Sequence, residues 1–94
     1  IKKFYQQKKE NDMNYTLYLS DKHGQTYAYP CESLDDAIEL YRWYNSFTRV
    51  VNEYFDKAYH DNQSVEVYIV DDQFTLVTYE GETLYKSFQP NGDE

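Results

Sequence analysis

The sequence predicts an α+β domain: a mostly antiparallel five-stranded sheet with one long helix packed across one face, in the order (α)ββαβββ. Three observations predict it. Short runs of β-branched and aromatic residues are separated by turn clusters. One stretch of about 26 residues has helical periodicity with no glycine or proline inside it. Twelve tyrosines, five phenylalanines and one tryptophan supply the apolar area a core needs, although 28% of the residues are charged.

Taken in order, residues 1–12 read as a short polar helix or an arm, with Ile1, Phe4 and Tyr5 at helical spacing. The domain proper spans 13–89. Its first hairpin pairs Tyr15–Leu19 with Gln25–Tyr29 around the turn cluster Ser20–Gly24, and Pro30 ends the pairing because it has no N–H to donate. Ser33 caps the following helix, and Asp35 and Asp36 sit where the macrodipole favours acids. The helical pattern continues to Tyr59 or His60, a span of about 40 Å, which is long beside its strands, and a bend at Asn45–Ser46 would relieve this. Val65–Val70, Phe74–Tyr79 and Glu82–Phe88 then form two hairpins, turning at Asp71–Gln73 and at Glu80–Gly81. Residues 90–94 read as a flexible tail.

The helix carries more apolar circumference than one sheet requires. At 100° per residue its polar side chains occupy an arc of roughly 140°, whereas lying on a single sheet needs an apolar stripe of only about 100°. Leu34, Ile38, Tyr41, Thr48, Val51 and Phe55 form one row; Leu40, Trp43, Phe47, Val50 and Tyr54 form a second. The second row is expected to be covered by the N-terminal arm or by a partner. Trp43, Phe47 and Tyr54 would be the anchors of a partner contact.

Alternation in the last strands directs Val65, Val67, Ile69, Phe74, Leu76, Leu84 and Phe88 towards the helix. The opposite face then holds Glu66, Tyr68, Val70, Thr75, Val77, Tyr79, Thr83 and Tyr85, with Tyr18 joining from the first hairpin. Tyr68, Tyr79 and Tyr85 on an open face suit protein recognition, since tyrosine gives contact area at low entropic cost.

Charge narrows the partner. The chain carries 17 acids and nine bases, a net charge of −8, and four of the bases lie in its first nine residues. Such a surface repels phosphate backbones and anionic lipid headgroups and attracts basic proteins. No direct nucleic-acid or membrane contact is expected, and no apolar run reaches the roughly 18 residues needed to span a bilayer. The expected acidic contacts are Asp61, Glu66, Asp71, Asp72, Glu80 and Glu82, with Asp35, Asp36 and Glu39 as a second cluster. Cys31 is the only cysteine, which excludes an internal disulfide and favours a reducing, cytoplasmic compartment.

Catalytic signals are weak. There is no H-E-x-x-H, phosphate-cradling glycine loop, nucleophile elbow or C-x-x-C, and His23, His60 and Cys31 have no catalytic spacing. The expectation is a non-catalytic acidic protein-binding module with no cofactor and no metal. Its strongest form is an inhibitor or nucleic-acid mimic occupying a basic site on a nucleic-acid-handling protein. By charge and size alone this is comparable with small antirestriction and anti-CRISPR proteins of phages and mobile elements; no motif carries the comparison. The alternative is a self-associating accessory module, a homodimer included, that uses the apolar helix row and the tyrosine face. A small-ligand carrier or enzyme comes third.

Overall fold

A computed structural model describes residues 15–56 and 64–89. The N-terminal arm, the helix end at residues 57–60, Asp61 and the tail at 90–94 lie outside the described residues. Strands β1 (Tyr15–Asp21) and β2 (Thr26–Cys31) form the first hairpin, and helices α1 (Leu34–Tyr44) and α2 (Phe47–Val50) follow, α2 running into a π-helical segment (Val51–Phe55). Strands β3 (Val65–Val70), β4 (Thr78–Tyr79), β5 (Glu82–Thr83) and β6 (Tyr85–Phe88) complete the order. Among the described residues no helix is long and apolar enough to cross a membrane.

The α+β class and the antiparallel pairing are as expected, but the sheet has four strands, ordered β2-β1-β3-β6, with β4–β5 as a separate two-stranded piece. The reason is competition for one edge. β1 occupies one side of β3 along its length, from Asp21↔Val65 to Thr16↔Val70. The other side is divided: Val65–Tyr68 pair with β6, while the Ile69 carbonyl accepts from Val77 and the Ile69 amide donates to Leu84. The expected return strand Phe74–Tyr79 therefore touches β3 only at its far end.

The single long helix is also replaced. α1 stops at Tyr44, the Asn45 amide donates to the Tyr41 carbonyl at 2.7 Å, and Ser46 is extended at φ −101° and ψ 126°. Asn and Ser compete for local backbone bonds and are weak helix formers, so the break falls on them. A straight helix of that length would overhang strands of six residues, which span about 20 Å. Beyond the break the wider π turn changes the phase of the second half, and Val50, Tyr54 and Phe55 are all in the core.

That core joins Leu17 and Leu19 of β1, Val65, Val67 and Ile69 of β3 and Phe88 of β6 to Ala37, Ile38, Tyr41 and Tyr44 of α1. Tyr27 and Tyr29 of β2 stand opposite Leu19 and Leu17 and reach the helices, where Tyr29 stacks on Tyr44 at 5.4 Å and Tyr27 meets Tyr54 at 4.9 Å. Val65, Val67, Ile69, Leu84 and Phe88 point inward as expected. Phe74 and Leu76 do not: they are 77% and 41% exposed, and Val77 is buried instead. Phe74 has a positive φ of 61°, and Leu76 bridges Val70 on the outer face, so the alternation is reversed across this segment.

Candidate functional site

The Ser33 hydroxyl accepts the Asp36 amide at 3.1 Å and caps the start of α1 just after β2. Asp36, Glu39, Leu40 and Trp43 then follow at helical spacing along one face. That face meets Pro30, Cys31 and Glu32 at the end of β2, and together they line an open groove of about 540 Å³. Its apolar lining includes Pro30, Leu40 and Trp43, and its charged lining is Glu32, Asp36 and Glu39; among the described lining residues none is basic.

Trp43 is 48% exposed and makes a T-shaped contact with Tyr44 at 5.0 Å, with the Arg49 guanidinium 4.2 Å from its ring centroid. One indole face is thereby taken by a cation–π contact. Cys31 lies in the groove with its thiol 3.5 Å from the Tyr29 carbonyl. Burial, followed by the Asp36 carboxylate, pushes the thiol pKa up. The thiol is held protonated at neutral pH, the weakly nucleophilic form. Among the described residues no three His, Cys, Asp or Glu side chains are placed to hold a metal ion.

A second feature lies on the sheet face away from the helices. Register places Tyr18 opposite Tyr68 and Tyr68 opposite Tyr85. Their rings form a row, 5.5 Å between the first pair and 6.3 Å between the second. The Tyr85 hydroxyl donates to the Glu66 carboxylate at 2.9 Å, and burial together with that carboxylate raises its pKa. Tyr79 is not in this row: it belongs to β4 and lines a separate cleft of about 340 Å³ with Tyr41, Arg42, Glu80 and Glu82.

The expected site residues are thus divided. Asp36, Glu39 and Trp43 come together, and Asp35 is exposed on the same first turn of α1 without lining the groove. Glu66 belongs to the tyrosine face, Glu80 and Glu82 to the β4–β5 cleft, and Asp71 and Asp72 to the β3–β4 loop. These five described acids thus belong to three different elements, and Asp61 lies outside the described residues. Of the three aromatic anchors, only Trp43 is presented. Tyr54 is 3% exposed, and Phe47 is half-buried against Phe55 and Phe88. Glu32, Pro30 and Leu40 were absent from the expected site. Leu40 is betrayed by its spacing from Asp36 and Trp43, whereas Pro30 and Glu32 reach the groove only because the hairpin ends beside α1. Comparison with family models, with curated proteins and with solved structures gives no match.

Proposed function

We propose that this chain is a non-catalytic protein-binding module whose partner presents a basic surface, and that the groove between β2 and α1 is its principal seat. The observation that carries this reading is one groove lined by the three acids Glu32, Asp36 and Glu39 together with the apolar Pro30, Leu40 and Trp43. A lysine or arginine side chain has the matching profile: an apolar stem to lie on Trp43 and Leu40, and a cationic head for the carboxylates. A basic site on a nucleic-acid-handling protein is the class of target that fits, with the acids taking the place of phosphates and blocking the site. The test is capture of partners from the native cell extract by the full chain at low and high salt, repeated with an Asp36→Lys, Glu39→Lys double variant. Binding should weaken steeply with salt and be lost in the double variant. Salt-insensitive capture that survives both charge reversals sinks the reading.

The Tyr18–Tyr68–Tyr85 row supports a second reading, self-association through the open sheet face, because Tyr85 remains 41% exposed. It requires a dimer by solution mass that a Tyr68→Ser, Tyr85→Ser variant abolishes. A monomeric full chain at high concentration excludes it.

A further inference from the structure

The chain builds the same five-residue loop twice. In Asp21–Gln25 the Asp21 carboxylate accepts from the amides of His23 at 2.9 Å and Gln25 at 3.0 Å, and the Asp21 amide donates to the Gln25 carbonyl at 3.0 Å. In 71–75 the Asp71 carboxylate accepts from Gln73 at 2.8 Å and Thr75 at 3.0 Å, and the Asp71 amide donates to the Thr75 carbonyl at 3.0 Å. In both, the amide of the fourth residue returns to the carbonyl of the first, at 3.4 Å from Gly24 and 3.0 Å from Phe74. This closure puts the fourth residue in the left-handed region, with φ +93° at Gly24 and +61° at Phe74.

Glycine takes that conformation freely. A residue with a Cβ takes it at a cost in stability, and a bulky aromatic is rare there. Burial does not compensate, because Phe74 is 77% exposed, the most exposed large apolar residue described. The first loop shows that glycine satisfies the same backbone. The second nevertheless keeps a large ring in water, beside the 41% exposed Leu76 and the acids Asp71 and Asp72. Backbone outliers of this kind, kept without a packing return, concentrate at functional sites.

We propose that the β3–β4 loop is a recognition loop whose Phe74 inserts into an apolar pocket with a basic rim on the partner protein. The inference rests on the reading that the partner is basic, and adds a second contact outside the groove. A second copy of this chain does not fit, because its own groove is lined by Glu32, Asp36 and Glu39 and would face Asp71 and Asp72. Those acids also oppose an anionic lipid surface.

The test uses the full chain with two substitutions that suit a left-handed residue, Phe74→Gly and Phe74→Asn, beside the Asp36→Lys, Glu39→Lys variant. The thermal midpoint of Phe74→Gly should rise by about 2–6 °C as strain is relieved. The salt-sensitive protein retained from extract by the wild type, once purified, should bind both Phe74 variants at least about 30-fold more weakly, the loss expected for a central aromatic anchor. A lowered midpoint in both Phe74 variants makes Phe74 a structural residue and overturns the proposal, as does unchanged affinity or the absence of any retained protein. Loss of binding in the groove variant with both Phe74 variants intact sinks this inference alone. The reverse pattern supports it and removes the groove from the interface. Sedimentation with neutral phosphatidylcholine vesicles that depends on Phe74, without loss of protein binding, assigns the loop to a lipid surface and also overturns it.

Discussion

Raising the pH tests whether buried phenols hold this core together. Tyr54 is 3% exposed and its hydroxyl donates to the Gln25 carbonyl. Burial, with the Asp21 carboxylate as the next cause, pushes its pKa from 10.0 up to about 12. Below the unfolded value of 10.0, folded and unfolded chains both keep the proton and the contribution of Tyr54 is fully present. Between there and about 12 the unfolded chain ionises first, so it binds fewer protons and stability falls. The slope is about 1.4 kcal/mol per pH unit, or about 2.7 kcal/mol across the window. Tyr44, which donates to the Tyr29 hydroxyl at 3.2 Å, is shifted upward by burial as well and adds in the same direction. Against a total stability of about 5–15 kcal/mol for a domain of ordinary size, these losses move an unfolding midpoint well outside error. The assay is urea unfolding followed by far-ultraviolet circular dichroism, at neutral pH and near pH ~11, for the wild type and Tyr54→Phe. The variant should lose about 1 kcal/mol at neutral pH, where the hydrogen bond to Gln25 is missing, and should decline less steeply with alkali. Equal wild-type midpoints at the two pH values, or an unchanged slope in the variant, would refute the reasoning.

Two further substitutions examine how the helices are placed. Ser33→Ala removes the acceptor of the Asp36 amide and should cost about 1 kcal/mol in urea unfolding while the melt remains cooperative. Val50→Ala deletes two methyl groups from a fully buried site beyond the helix break, and should cost about 2–3 kcal/mol with its cavity; a cost below about 0.5 kcal/mol would mean that α2 does not lie on the core.

Features set by neighbours in the chain were legible in the sequence. The first hairpin, the Ser33 cap and the inward row Val65, Val67 and Ile69 follow from turn residues, a capping hydroxyl and period-two alternation, although the pairing does not end at Pro30 as expected but continues through Thr16↔Pro30 to Tyr15↔Cys31. Features set by competition between distant segments were not. Which segment takes the free side of β3 depends on Leu84, whose amide donates to the Val77 carbonyl at 2.8 Å while its own carbonyl serves Ile69. No local pattern encodes that arrangement. Strict alternation directs Phe74 and Leu76 inward, but the left-handed backbone at Phe74 breaks that alternation. The helix break is marked by Asn45 and Ser46, but the π turn that buries both Tyr54 and Phe55 leaves no compositional trace. For the groove, the sequence names Asp36 and Glu39 as acidic contacts and Trp43 as a separate aromatic anchor, and their meeting beside the end of β2 is a tertiary contact that no local pattern encodes.

The position of Trp43 makes the groove observable without a label. It is the single indole among twelve tyrosines, half in water, with one ring face covered by the Arg49 guanidinium. Excitation selective for tryptophan therefore samples one spot on the surface. A bound side chain that displaces solvent from the exposed part of the indole should shift the emission to shorter wavelength and slow quenching by small solutes, while contacts elsewhere leave the spectrum as it was.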